Sequence, residues 1–170
     1  MIVFLVLIAT SCVAEPDSIT TGPYNITFDI GLPKDAYNIK IDDPVETESL
    51  GGEKEKNFFV SVENKSIETR TVAFSITEYA EAQPSAILSS KSLKTLLERM
   101  FPSANIATRT IDGKEGALAE YTSGGITMYF AMYFLDKYTW VQPMSGLPWD
   151  EGTLQLLKTL HVEKINETSQ

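Results

Sequence analysis

Histidine and cysteine, the side chains that most often serve nucleophilic and metal chemistry, occur once each in this chain of 170 residues. His161 follows Leu160 at the end of a predicted helix, where the helix dipole favours a cation, so we interpret it as a capping residue. A metal site built on histidines is excluded, and a Ser-His-Asp triad would depend on this residue alone. The histidine count therefore argues against both kinds of site.

Carboxylates are more plentiful, and the densest group lies in residues 42–48, DDPVETE. Oxygen ligands of this kind could collect a calcium ion, although the spacing of an EF-hand loop is missing. If the segment is a strand, Glu46 and Glu48 share one face. A strand with one face exposed to solvent shows the same pattern without binding a metal. Two alternatives stay open here: a metal-binding accessory subunit, and carboxylate-dependent catalysis of the glycoside hydrolase type. No catalytic residue, metal ligand or cofactor is assigned.

Aromatic residues are concentrated between positions 121 and 149, and three of them are candidates for facing a ligand. Tyr129 and Tyr133 lie on one side of a predicted strand, and Trp140 lies on the next strand. Such rings could line a cleft for a sugar, a peptide or a partner surface. The other interpretation is core and cross-strand packing, which large aromatic side chains provide routinely.

Cys12 ends an apolar opening stretch, MIVFLVLIATSC. The uniformly apolar part, residues 2–9, is too short for a membrane span of about 20 residues but suits a signal peptide. Cleavage after Ala14 would remove residues 1–14. Alternatively, residues 9–12 resemble a lipobox, so that residues 1–11 are removed and Cys12 is lipidated, although Ala9 stands at the usual Leu position and no Lys or Arg precedes the run. A buried strand with a core cysteine is the third interpretation.

Three Asn-x-Ser/Thr sequons, at Asn25, Asn64 and Asn166, are candidate N-glycosylation sites in a glycosylating host. Asn64 is predicted in a turn and Asn166 in a polar tail, where a glycan is accessible, whereas Asn25 lies in a predicted strand. The apolar opening stretch and the sequons together predict an extracytoplasmic protein, either membrane-anchored by a lipid or secreted.

The formal net charge of −9 and the lack of a Lys/Arg cluster argue against a nucleic-acid partner. We expect the partner to be an envelope or extracellular protein or a glycan. The predicted function is a non-catalytic, exported cell-envelope binding or accessory module of unknown ligand.

The elements that must position these residues follow from hydrophobic periodicity. A polar spacer is predicted over 15–23, one domain over 24–164 and a polar tail over 165–170. Alternating segments predict strands, and helical spacing predicts one helix from Pro84-Ser85 to Phe101 and another after Pro148. The run at 126–135, ITMYFAMYFL, is apolar on both faces, as in a central strand. The predicted fold class is α+β, with a twisted antiparallel β-sheet on which both helices pack.

This order of strands, helix, meander, long central strand and terminal helix, with an Ile-Asp-Gly-x-Glu-Gly turn at 111–116, resembles the PsbP/DcrB-like superfamily. The resemblance covers roughly residues 24–164. It implies a PsbP-like sandwich and a binding role, since members are frequently small exported domains and some are lipoproteins. No site residue of the family is carried over.

Overall fold

The computed structural model describes residues 16–48, 52–67, 69–147 and 149–165. The predicted signal peptide, Cys12 and Asn166 lie outside these ranges. Within them the chain forms two antiparallel sheets and two α-helices, which confirms the α+β class.

Eight strands form the large sheet, and seven of them lie side by side in the order β3-β5-β6-β10-β9-β8-β7. The eighth strand, β4, pairs with the first half of β5, while β3 pairs with its second half. The strands are β3 (Tyr37–Ile41), β4 (Val45–Glu48), β5 (Lys54–Asn64), β6 (Thr71–Tyr79), β7 (Asn105–Ile111), β8 (Lys114–Ser123), β9 (Ile126–Asp136) and β10 (Thr139–Leu147).

A second, three-stranded sheet packs across one face of the large sheet, here called the inner face. It consists of β1 (Asp17–Thr21), β2 (Tyr24–Phe28) and β11 (His161–Lys164), in the order β1-β2-β11. The predicted spacer at 15–23 therefore contains a strand of the folded domain. The physical reason is tertiary: the buried Asp17 accepts a hydrogen bond from the Tyr37 hydroxyl. The Tyr24 hydroxyl likewise lies 3.3 Å from Thr139 Oγ1 of the large sheet.

Helix α1 (Ser90–Met100) packs on the opposite, outer face against β7, β8 and β9. It begins later than predicted, because the Ser89 side chain accepts a hydrogen bond from Ser92 N at 3.2 Å and caps the helix there. The predicted start instead forms a short 3₁₀ turn, Ser85–Ile87. Helix α2 (Asp150–Thr159) packs on the inner face against β2, β6, β9 and β10.

Strand β9 is the central strand that the sequence predicts, since it lies between β8 and β10 with both faces covered. Ala131 and Tyr133 belong to the inner core, whereas Met132 and Phe134 belong to the outer core. Side chains alternate across a strand, so a strand apolar on both faces joins two separate cores.

Candidate binding groove beside helix α1

Helix α1 covers only part of the outer face and leaves a groove between itself and strands β9 and β10. This α1 groove has a volume of about 540 Å³, within the range of ligand pockets. One side is an apolar wall and the other is a polar rim. The wall comprises Ile87, Leu93, Leu96, Phe134 and Trp140, and the rim comprises Lys91, Thr95 and Arg99.

Trp140 forms the floor of the apolar wall. It stands opposite Phe134 in the β9–β10 ladder, with ring centroids 6.1 Å apart, and Tyr79 packs edge-on against it at 5.9 Å. Its indole Nε1 is buried and has no hydrogen-bond partner within the described part of the chain. Buried indole N–H groups usually find an acceptor, so this donor distinguishes Trp140 from an ordinary packing residue.

The wall also exposes large apolar side chains at its mouth. Leu96 is 36% exposed and Ile87 is 40% exposed, whereas Leu93 is buried beneath them. The groove is thus apolar from its mouth to its floor.

The polar rim follows from helical spacing, because Lys91, Thr95 and Arg99 are four residues apart and share one side of α1. All three are exposed. Within the described ranges, neither Lys91 nor Arg99 forms an ion pair, whereas Lys94 on the same helix pairs with Glu98. The α1 groove is consequently a locally basic site on a chain of net charge −9.

The three predicted ligand-facing aromatics do not come together. Tyr133 is fully buried on the inner face and Tyr129 is half-buried on that same face, whereas Trp140 lies on the outer face. A register shift between Thr139 and Trp140 sets Trp140 opposite Phe134 and Val141 opposite Tyr133. Only Trp140 lines the α1 groove.

Tyr133 instead belongs to a polar network centred on Asp112, in the turn that the sequence singled out. Its hydroxyl donates to Asp112 Oδ2 at 3.1 Å, and Val162 N donates to the same oxygen at 3.0 Å. Burial, with the nearby Asp112 carboxylate, raises the pKa of Tyr133 well above 10.0. The His161 Nδ1 atom lies 2.6 Å from Asp112 Oδ1. Asp112 therefore ties the β7–β8 turn to strands β9 and β11.

This arrangement changes the interpretation of His161. Helix α2 ends at Thr159 and His161 begins β11, so it does not cap the helix as predicted. Its ring is mostly exposed, and its partner is a carboxylate in another hairpin rather than the helix carbonyls.

Of the carboxylates in residues 42–48, Glu46 and Glu48 line a second concavity at the β4 end of the large sheet. This β4 pocket has a volume of about 580 Å³ and contains Glu46, Glu48, Glu55, Glu78 and Tyr79, together with Lys54 and Lys56. Glu46 is opposite Lys56 and Glu48 is opposite Lys54 in the β4–β5 pairing, so residues of opposite charge face each other across the two strands. Burial and the neighbouring Glu55 and Glu53 carboxylates raise the pKa of Tyr79 above its ordinary value. Among the described residues, no group of three or more His, Cys, Asp or Glu side chains is placed to hold a metal ion.

Two of the three sequons lie within the described residues, and they differ in exposure. Asn25 lies half-exposed on the small sheet, where its Nδ2 donates to Glu163 Oε1 at 2.8 Å. Asn64 is only 9% exposed, because its side-chain oxygen accepts hydrogen bonds from the backbone N–H groups of Ser66 and Ile67. Of the two described sequons, Asn25 is therefore the more accessible.

Sequence reasoning missed the α1 groove, and one signal could have pointed to it. Leu96 and Met100 extend the apolar stripe of α1 beyond the width that Leu93 and Leu97 need for packing, and both are exposed.

In the part of the chain that the structure describes, neither helix is long and apolar enough to cross a membrane. No protein-family model, no curated protein and no solved structure matches this chain.

Proposed function

We propose that this protein is an extracytoplasmic, non-catalytic binding module whose binding site is the α1 groove. The observation that carries the proposal is an open apolar wall floored by Trp140, whose buried Nε1 has no acceptor among the described residues. A concave apolar site with a few polar groups is the usual form of a small-molecule site. The apolar opening stretch supports the extracytoplasmic location, through either a lipid on Cys12 or release after Ala14.

We also propose a PsbP-like arrangement, as a member of the PsbP/DcrB-like superfamily. The supporting features are the order of elements and the Asp112-Gly113 turn, in which both residues have positive φ. The superfamily resemblance is in keeping with an exported accessory or envelope protein. The α1 groove would then be the surface through which the module recognises its ligand.

Tryptophan fluorescence tests the groove directly. Titration with decanol, a neutral apolar probe, is expected to shift the emission of Trp140 to shorter wavelength as its surroundings lose water. The Trp140→Phe variant retains Trp149, which is buried beside α2, and is expected to show no shift. An equal shift in that variant would place the probe elsewhere and would contradict the proposal.

A pair of matched substitutions locates the site independently. Leu96→Asp places a charge at the mouth of the groove and is expected to weaken decanol binding about tenfold, because a carboxylate opposes burial of an apolar probe. Val45→Asp makes the same kind of change at a residue 56% exposed on β4 and is expected to leave binding unchanged. Equal losses in both variants would indicate non-specific adsorption.

The β4 pocket supports a second candidate function, carboxylate-dependent hydrolysis. Four glutamates and Tyr79 share one concavity, and glycoside hydrolases act through pairs of carboxyl groups. Release of nitrophenol from nitrophenyl glycosides, abolished by Glu55→Gln, would support it. If the unmodified chain releases no nitrophenol from a panel of nitrophenyl glycosides, this second candidate function is ruled out.

A further inference from the structure

We propose that the ligand of the α1 groove is a small single-chain amphiphile with a carboxylate head, of the fatty-acid type. Its chain lies on the apolar wall and its carboxylate contacts Arg99 and Thr95 of the rim, while the charge of Lys91 adds a longer-range attraction. This inference rests on the proposed binding function and adds the chemical class of the ligand.

The shape of the groove favours a small molecule. Its volume of about 540 Å³ falls within the range for small ligands and is too limited to enclose a peptide helix about 10 Å across. The apolar wall runs from Ile87 and Leu96 at the mouth to Trp140 at the floor, so an alkyl chain can contact apolar side chains along its length. Each methylene removed from water contributes about 0.8 kcal/mol, which makes an alkyl chain a suitable occupant.

The charges of the groove favour an anion. Lys91 and Arg99 are eight residues apart on α1, which places them about 12 Å apart along the helix axis, one toward each end of the rim. No acidic residue lines the groove, and neither cation has an ion-pair partner among the described residues. Lys94, on the same helix but outside the groove, is neutralised by Glu98.

The hydrogen-bonding geometry of the rim suits a carboxylate. The guanidinium of Arg99 presents a planar fork that matches two carboxylate oxygens, and the Thr95 hydroxyl is a further donor beside it. The net charge of −9 predicts the opposite preference for any ligand that merely adsorbs to the surface, because such a surface attracts cations. A preference for an anionic ligand would therefore come from the positive charges of the rim and not from the net charge of the protein.

Three probes with the same alkyl chain test the inference by calorimetry on the unmodified protein: decanoate, decanol and decyltrimethylammonium, each kept below its micelle concentration. Decanoate is expected to bind about tenfold more tightly than decyltrimethylammonium, and the difference is expected to shrink as salt is added. Equal binding of all three would overturn the carboxylate inference and leave the proposed binding function intact. Binding of none would overturn both.

Substitutions on α1 assign the preference to the rim. Lys91→Ala and Arg99→Ala are each expected to weaken decanoate about threefold, and about tenfold together, with a smaller effect on decanol because it carries no charge. Lys94→Ala removes the same charge from the same helix outside the groove and is expected to change neither affinity. Loss of decanoate affinity in Lys94→Ala equal to that in Arg99→Ala would overturn the assignment, since it would show a general charge effect. Retained decanoate affinity in the double variant would overturn it as well.

Discussion

The two faces of the large sheet are covered to different extents. The inner face is covered by the small sheet and α2, and among the described residues its core contains nineteen buried hydrophobic side chains. In the same part of the chain, α1 is the one helix on the outer face, and the core there contains six. The inner face therefore carries most of the stabilising burial, while the outer face keeps apolar surface open for contact with a ligand.

Dimensions explain the difference. Seven strands side by side span about 29 Å at the usual strand spacing, whereas one helix with its side chains is about 10–12 Å wide. Helix α1 packs over β7, β8 and β9, so Trp140 on β10 lies at the edge of the area that α1 covers, with Tyr79 of β6 next to it. The α1 groove forms at the boundary between covered and uncovered sheet.

Removal of an inner-core ring is expected to have the largest effect. Phe74 is fully buried on β6 and packs against Phe28 with ring centroids 5.7 Å apart. Phe74→Ala should lower the free energy of unfolding by about 3–5 kcal/mol, as measured by urea denaturation. Leu97→Ala, on the buried face of α1, should cost about 2–4 kcal/mol because the thinner outer layer relaxes more readily. An outer-face loss larger than the inner-face loss would break the comparison.

The next largest effect is expected where the inner face brings backbone and side chains close together. A Cβ atom at Gly116 would lie 2.6 Å from the backbone oxygen of Met132 and 3.0 Å from Tyr133 Cβ. Gly116→Ala should therefore reduce the free energy of unfolding by about 1–3 kcal/mol through overpacking. Thermal unfolding measures the loss. An unchanged unfolding midpoint would show that β8 and β9 can shift apart enough to accept the added methyl group.

Alkaline pH is expected to act on the inner face through Tyr133. Because its folded-state pKa is raised above 10.0, the unfolded chain loses the phenol proton at a pH where the folded chain keeps it. Stability is thus fully present below pH 10 and falls above it, by about 1.4 kcal/mol per pH unit for each such tyrosine. Urea denaturation at increasing pH measures the slope.

Tyr133→Phe separates this titration from other alkaline effects. The variant loses the hydrogen bond to Asp112, at a cost of about 1–2 kcal/mol near neutral pH, and its alkaline slope should be shallower than that of the unmodified chain. Tyr138→Phe removes the hydroxyl of an exposed tyrosine and is the matched control, which should leave stability near neutral pH unchanged. An unchanged slope in Tyr133→Phe would assign the alkaline loss to other groups.

The parts of the fold that depend on local periodicity could be predicted from the sequence. The β5–β6 hairpin, the central strand β9, both helices and the antiparallel sheet follow from spacing and turn residues. Strand β1 could not, because its sequence DSITT has one apolar residue and its burial depends on Tyr37 and on pairing with β2. The small sheet also joins β11 to β2 across most of the chain, and no local pattern specifies that pairing.

The site could be predicted only in part, for a related reason. The sequence predicts Trp140 as a ligand-facing residue together with Tyr133. The register shift beside Trp140, which the sequence does not reveal, places the two residues on opposite faces of the sheet. The α1 groove combines Ile87 with Trp140, which are far apart in the chain and meet only because α1 docks over β7–β9. Periodicity specifies which side of an element is apolar and does not specify how much of it a neighbour covers.

The smallest expected effect on stability comes from the groove itself and sharpens the comparison of the two faces. Ile87 is 40% exposed in the 3₁₀ turn before α1, so Ile87→Ser removes little buried surface and should change the free energy of unfolding by about 0.5 kcal/mol or less. The same change at Ile26, fully buried in β2, should cost about 2–5 kcal/mol. Decanol binding should show the reverse order, lost in Ile87→Ser and kept in any Ile26→Ser protein that remains folded. If Ile87→Ser destabilised the chain as much as Ile26→Ser, the apolar wall would be part of the folded core. The α1 groove would then have no free apolar surface for a ligand.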